Sequence, residues 1–320
     1  MFTIRPFNPT SEDEYAALVA VHNAAWPDEP TTIASVKHGD ARWDPAYYYR
    51  RVVGLLGDRM VAVASAMEPF WSYRPGKYEL SIDIHAEFEG EESRGQLYDL
   101  LVGGLESRDP APVLLVASAR EDKPDQIRFL SARGFMPVMR FPNSRLQVDE
   151  FDFAPFAGVV ERVEANGIAI RTMAELMASD PEYQRKMYDL DWAAGQDEPS
   201  PEPLTQVAFE VFARGFDAPD TLPEGIFIAL DGDTYVGMSV LDKDLARPEH
   251  LNTGFTCTLP SHRRRNIALA LKLKAIAFAR EYGAKTIDTG NEENNPMYQI
   301  NLRLGFRPRP AWSDYHKEIV

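Results

Sequence analysis

The sequence predicts a mixed α/β protein: helices on both faces of a largely antiparallel sheet, an α+β layout written twice along one chain. Three observations predict it. The chain has 320 residues, long for one hydrophobic core and comfortable for two. Short strand, turn and helix-stop signals recur in the same order in both halves. The spacing between recurrences is nearly constant, with 166 residues between Arg5 and Arg171 and 171 between Gly134 and Gly305.

The elements justify themselves in order. FTIRPF (2–7) and IAIRTM (168–173) are short alternating strands, each followed by an acidic, helix-prone segment. Those segments are SEDEYAALVAVHNAAW (11–26) and AELMASDPEYQRKMYDLDWAA (174–194). GDRMVAVASAM (57–67) and GDTYVGMSVL (232–241) are tight turns feeding apolar strands. ARGFMPV (132–138) and RLGFRPR (303–309) are helix ends with glycine at the stop and a new strand beyond. In the second half the pattern places strands near 225–231, 234–242, 252–259 and 285–289, and helices near 266–281 and 294–303. The expected division is a domain at 1–150, a linker at 151–166 and a second domain at 167–320.

Composition narrows the function classes. The formal net charge of −15 argues against general nucleic-acid affinity and favours cationic partners. No stretch approaches the roughly 20 apolar residues that span a bilayer, and the opening residues lack a basic segment followed by an apolar core. One cysteine, Cys257, excludes an internal disulfide and fits a reducing, cytoplasmic setting. The six histidines form no HxH or HExxH spacing, so no metal site is expected.

Against that acidity stands PSHRRRNIALALKLKA (260–275), between a strand and an amphipathic helix with Ile267, Ala270, Leu271, Lys274 and Phe278 at helical spacing. Pro260 ends the strand because it has no N–H to donate. The helix start presents unpaired N–H groups and the positive end of the dipole. Asn266 sits where a left-handed backbone is expected, which asparagine tolerates better than most residues. Three arginines at a helix N-terminus oppose the dipole unless an anion compensates them, so Arg263, Arg264 and Arg265 read as an anion site. The competing readings are a solvated basic helix end and a contact for an acidic protein or nucleic acid.

These residues resemble the GNAT N-acetyltransferase superfamily. Arg263-Arg264-Arg265-Asn266-Ile267-Ala268 is similar to its pyrophosphate loop, Gln/Arg-x-x-Gly-x-Gly/Ala, with Asn266 in place of the central glycine. IDTGNEENNPMYQINLRLGF (287–306) resembles the strand and helix that follow, ending in the Gly-Phe step. The whole chain is similar to tandem GNAT proteins. The resemblance implies acetyl-CoA as co-substrate and N-acylation of a primary amine on a small molecule. It places the arm of coenzyme A along Thr258 and Leu259, with Asn294 bonding it. The loop of the first half, HAEFEGEESRGQLYDLL (85–101), carries Glu87, Glu89, Glu91 and Glu92 instead of arginines. Carboxylates repel a pyrophosphate, so the first domain is expected to be structural and the catalytic site to lie in the second.

The chemistry needs a base for the ammonium and an acid for the thiolate. The family's tyrosine four residues before the helix-terminal glycine is Asn301 here, which donates a hydrogen bond but no proton. Asn294, Tyr298 and Asn301 follow i, i+4, i+7 and are expected on one helical face, which makes Tyr298 the candidate acid. Candidate bases are Glu292, Glu293, Asp191, Asp197, Glu198 and Glu202, with Glu293 preferred. The acidic connection 191–206 suggests a cationic acceptor, walled by Trp192, Trp312 and Tyr315 with Trp71 and Tyr73. The alternative is an acyl-CoA-binding or regulatory protein without turnover. A monomer is favoured, since duplication internalises a dimer contact.

Overall fold

Helix starts are written into the side chains. In the computed structural model, which describes residues 2–319, Ser11 accepts from the Glu14 N–H ahead of helix α1 (Glu12–Ala25). Thr172 and Glu175 form a reciprocal capping box at helix α6 (Met173–Ser179). Glycines end the helices where the echoes predict it: Gly134 and Gly305 have φ of 83° and 84°, angles that side chains with a Cβ resist.

The chain forms two compact units. The first holds β1 (Thr3–Pro6), α1, α2 (Ile33–Arg42), β2 (Tyr49–Leu56), β3 (Arg59–Met67) and β4 (Lys77–Ile84). It continues with α3 (Glu91–Leu105), β5 (Leu114–Arg120) and α4 (Pro124–Ala132). Strand β6 (Met136–Gln147) then crosses the boundary between the units, which falls after Arg140. The second unit holds α5 (Val159–Ala165), β7 (Ile168–Thr172), α6, α7 (Tyr183–Gly195), α8 (Phe209–Ala213), β8 (Phe227–Asp231) and β9 (Thr234–Lys243). It ends with β10 (His250–Thr258), α9 (Ile267–Tyr282), β11 (Thr286–Gly290) and α10 (Pro296–Arg303). Strand β12 (Arg307–Glu318) passes back, and the first unit takes the chain from Pro310 onward together with Pro201–Val207.

Both units repeat one strand order. In the first, β1-β2-β3-β4 are antiparallel, β4 and β5 parallel, and β12 pairs antiparallel with β5. In the second, β7-β8-β9-β10 are antiparallel, β10 and β11 parallel, and β6 pairs antiparallel with β11. The last strand of each unit therefore comes from the opposite half of the chain. A linear cut at 150 and 167 does not follow this division. The segment expected as a linker carries helix α5, whose Val159 and Val163 are buried with Phe151 in the second unit's core.

In each unit the strands are packed on both faces. In the second unit α9, α5, Ile287 and Leu251 form one core, and α6, α7, Ile228 and Met238 form another on the opposite face. In the first unit α3 and α4 pack on one face and α1 on the other.

Candidate active site

In each unit the two parallel strands part company. In the second, the β10–β11 ladder stops at Asn252 and Asp288, so Thr253–Thr258 pair only with β9. An irregularity between Thr253 and Thr256 bends β10 away. This leaves an open strand edge leading to the arginine loop.

The loop is wound left-handed twice. Arg264 has φ of 61° and Asn266 of 60°, and they are the non-glycine residues with positive φ among those described. The expectation for Asn266 therefore agrees with the backbone. Among the described residues, the N–H groups from Arg264 to Leu269 find no acceptor, and Asn266 adds no side-chain cap to α9. Alternating left- and right-handed residues turn successive N–H groups towards one concavity, a built anion cradle. The loop is held from behind by the Leu259 N–H on the Val236 carbonyl (2.9 Å) and by His262 on Asp231 (3.1 Å). Gly237 is needed beneath it, because a Cβ there would lie 2.9 Å from the Cys257 carbonyl oxygen.

The three arginines are not equivalent. Arg263 pairs with Asp197 (Nη2 to Oδ2, 2.6 Å) and donates from Nε to the Thr258 carbonyl (3.2 Å). Arg265 reaches the Asn166 carbonyl at 3.4 Å. Arg264 is exposed and, among the described residues, makes no hydrogen bond or ion pair.

In the second unit three buried polar atoms, on β10, α10 and β6, are left unmatched among the described residues. Thr258 Oγ1, Asn301 Oδ1 and Ser144 Oγ are buried without a hydrogen-bond partner. Such atoms cost about 1–3 kcal/mol each unless a ligand satisfies them. Asn301 is fully buried, and its Nδ2 donates to Asn291 Oδ1 at 2.6 Å. Lys272, on the α9 face towards Phe306, has its ammonium 5.7 Å from that ring, and burial pushes its pKa down to about 7. An amide-bearing arm suits these donors and acceptors, and a diphosphate suits the loop. The residues present fit an acyl-CoA.

The helix after β11 departs from the expected face. It begins at Pro296 with Asn295 as its cap, accepting from the Met297 N–H at 2.9 Å. Asn294 thus lies ahead of the helix and folds onto Glu292, donating from both its backbone N and Nδ2 at 2.8 Å. Asparagine and proline at the cap and first helical position outcompete an earlier start. Tyr298 and Asn301 remain one turn apart on α10, with Tyr298 half-buried; Glu293 is exposed.

The carboxylates sort by environment. Burial alone pushes Asp191 up to about 6. Glu198 is raised by burial and then by Asp191. Asp242, on β9, is pushed up to about 7 by burial and then by Asp220. Asp197 is spoken for by Arg263, and Glu202 lies in the first unit. Trp312, Tyr315, Trp71 and Tyr73 also belong to the first unit, whereas Trp192 lies on α7 of the second. Cys257 is buried, and burial followed by the nearby carboxylates pushes its thiol up to about 12, which leaves no thiolate for nucleophilic work. Sequence reasoning missed Asp242 and Lys272. Their signals were a charge continuing a buried strand alternation and a lysine inside an apolar helix stretch.

The first unit's counterpart loop is built otherwise. Residues Ala86–Phe88 form one tight turn, Gly90 is extended at φ −178°, and no residue from 85 to 95 has positive φ. Arg94 is clamped by Glu89 (2.7 and 3.0 Å) and donates to the Ile82 carbonyl (3.0 Å) on the parted strand.

Comparison places this geometry. Residues 184–306 match the family model described as acetyltransferase (GNAT) family. Among solved structures, a tandem GNAT protein from the clavulanic acid biosynthesis pathway is 19% identical, with a TM-score of 0.78 over 99% of this chain and 98% of that one. A GCN5-related N-acetyltransferase from Sphaerobacter thermophilus is 16% identical, with a TM-score of 0.71 over 99% and 95%. The Saccharomyces cerevisiae N-myristoyltransferase with bound myristoyl-CoA is 12% identical, with a TM-score of 0.63 over 99% and 79%. No curated protein matches the sequence. No helix among the described residues is long and apolar enough to cross a membrane. Residues 184–306 thus match the acetyltransferase (GNAT) family model, and the chain as a whole shares the fold of the tandem GNAT structure.

Proposed function

We propose that the protein is an N-acyltransferase that uses acyl-CoA, with acetyl-CoA as donor, and acts on a primary amine of a small cationic molecule in the second unit. The observation that carries this reading is the doubly left-handed loop at Arg264 and Asn266, opening onto an unpaired strand edge and unmatched polar atoms. The yeast neighbour of similar fold, with its bound myristoyl-CoA, supports the donor class.

In this reading the N–H groups from Arg264 to Ala268 hold the diphosphate, and Arg264 and Arg265 add charge-assisted bonds. Backbone groups of Thr258 and Leu259 pair with the pantetheine arm as an added strand does, and Asn294 must release Glu292 to join them. The Asn291–Asn301 pair offers its free amide atom to the ligand. Reversing both amides keeps their mutual bond and turns an N–H outward, as a thiolate requires. Tyr298 supplies the proton to the leaving sulfur. For the ammonium, Glu293 is the carboxylate beside the strand end, and Asp191 is the one whose raised pKa suits a base at neutral pH. Asp191 and Glu198 together favour a cationic acceptor.

The first unit is proposed to have no catalytic role, because its loop offers carboxylates and no left-handed cradle. Buried Asn301 in the tyrosine position favours a second reading, an acyl-CoA sensor without turnover. Thiol release from acetyl-CoA across a panel of primary amines separates the two. Turnover that disappears in Arg264→Glu is expected. Binding without thiol release would favour the sensor, and neither binding nor release would overturn both.

A further inference from the structure

The first unit has lost the loop but kept the gap. Its β4–β5 ladder stops at Leu80 and Ala117, and a cavity of about 210 Å³ passes between the parted strands. Roughly seven waters at liquid density fill that volume, enough for one aromatic ring with a short charged arm and far too little for a nucleotide thioester.

The cavity has two ends of different chemistry. Towards α3 and α4 it is walled by Tyr98, Phe129, Leu130 and Phe135, all buried. Towards α1 it is walled by Glu79, Ser81 and Asp83 of β4, Ser118 of β5, and the tilted pair Trp26 and Trp312, whose rings are 4.7 Å apart.

The charges do not balance at that end. Most cations around it have their own carboxylate; Lys123, 4.9 Å over the Trp26 ring, donates instead to the Ala25 carbonyl. His22 is bonded to Asp83 at 2.8 Å, and Arg94 to Glu89. Arg120 is bonded to Asp28, Glu29 and Asp122. Lys77 pairs with Glu202. Two carboxylates are left over. Among the described residues, Asp314 accepts only from the Ser118 hydroxyl, at 2.7 Å, and the Glu79 carboxylate accepts no hydrogen bond. Glu79 and Asp314, both half-buried, are raised first by burial; Asp314 raises Glu79 further, while Lys77 lowers both, and His316 beside Asp314 is held towards its neutral form by burial. A half-buried carboxylate with no hydrogen-bond donor of its own is a ready partner for a cation.

We infer that the gap between β4 and β5 of the first unit is a binding site for a small aromatic or apolar primary ammonium, whose charge meets Glu79 and whose apolar part lies against Phe129 and Tyr98. The acidic loop at 85–95, which turns away a diphosphate, assists such a ligand. The site is separate from the acyl-CoA site and does not rest on that reading. It gives the unit without the arginine loop a ligand of its own, of the class that the other unit would acylate.

Titration calorimetry of the full chain with benzylammonium chloride tests this. One site is expected per chain, with benzyl alcohol at least tenfold weaker. Glu79→Gln, which is neutral and nearly isosteric, should weaken the ammonium at least tenfold. Ala117→Leu, which fills the gap from the apolar side, should abolish binding. Arg264→Glu should leave it unchanged. An unchanged thermal transition for Glu79→Gln and Ala117→Leu separates loss of the site from loss of the fold, and unperturbed binding in either variant overturns the inference. So would equal affinity for the alcohol, no binding at 10 mM probe, or displacement of the probe by acetyl-CoA in the wild type and not in Arg264→Glu, which would place it in the second unit.

Discussion

Arg264 and Asn266, one residue apart, share a left-handed backbone at φ 61° and 60° with Arg265 between them. A non-glycine residue in that region pays roughly 1–2 kcal/mol, asparagine least of all. Asn266→Gly should therefore be neutral or stabilising by up to about 1 kcal/mol, with acetyl-CoA affinity kept. Asn266→Val, branched at Cβ, should lose both. Denaturant midpoints and calorimetry read the two effects, and an Asn266→Val protein that binds acetyl-CoA normally would show that the winding has no bearing on the ligand.

The three arginines should differ in what their loss does. Arg264 is unengaged, so Arg264→Ala removes only its bond to the ligand, about 1.5–3 kcal/mol or roughly 10- to 100-fold in Kd. Arg263 already serves Asp197 and Thr258, so Arg263→Ala should act mainly by loosening the strand end, with a smaller change in salt dependence. Acetyl-CoA titrations at two ionic strengths measure both. Equal losses with equal salt slopes would refute this division of labour.

How much of this was legible in the sequence depends on how local the cause is. Glycine stops at 134 and 305, the turn at 232 and the left-handed Asn266 follow from single residues and were readable. Arg264 was not, since arginine gives no hint of positive φ and takes it only because the loop closes around it. The face shared by Asn294 failed because Asn295-Pro296 starts the helix later. The exchange of β6 and β12 was invisible, because alternation says that 310–318 is a strand and says nothing of its neighbour. For that reason Trp312 and Tyr315 fall in the first unit, where a linear cut at 167 does not put them. Asp242 and Lys272 needed the burial that only packing gives.

Tyr298→Phe should lower kcat by 10²- to 10³-fold while leaving acetyl-CoA affinity within about twofold, since general acid assistance is worth 10²–10⁴-fold. A kcat within twofold of wild type would retire Tyr298 as the acid. For the base, kcat/KM should rise with pH through about 6, the value to which burial pushes Asp191. That limb should flatten in Asp191→Asn and persist in Glu293→Gln. The reverse pattern would hand the role to Glu293.

Asp242 gives a pH signature in stability rather than rate. Burial and then Asp220 push its folded pKa from 3.8 up to about 7. A raised carboxylate pKa means that the folded state binds the proton more tightly. The stability it lends is fully present below about pH 4 and is lost as pH rises through 7. Asp242→Asn should thus match the wild type at pH 4 and be more stable at pH 8. Urea midpoints at the two pH values read the difference, and an identical increment at both would mean that Asp242 is solvated in the folded protein.

Lys77 and Glu202 tie a segment of the second half to the first unit. Lys77 is 5% exposed, donates to the Ser72 carbonyl and hydroxyl at 3.1 and 2.8 Å, and pairs with Glu202, which also meets Arg74 at 3.2 Å. Burial raises the Glu202 pKa, but the Lys77 ammonium and Arg74 outweigh it and hold the carboxyl below its usual range. Removing one partner of a buried pair strands the other, at about 3–5 kcal/mol. Glu202→Ala should cost that much at pH 7, and the Lys77→Met, Glu202→Leu double variant should recover most of it, since an apolar pair replaces buried charges at little cost. Because the Glu202 pKa is depressed, the pair's stabilisation is present above the unfolded carboxyl range and fades as pH falls through the folded value. The gap between wild type and Glu202→Ala should therefore close in acid. A gap that stays constant down to pH 3, or a double variant as unstable as the single, would mean that the segment is held by the Thr205 bonds to Trp71 and Tyr73 (2.8 and 3.0 Å) and not by its charge.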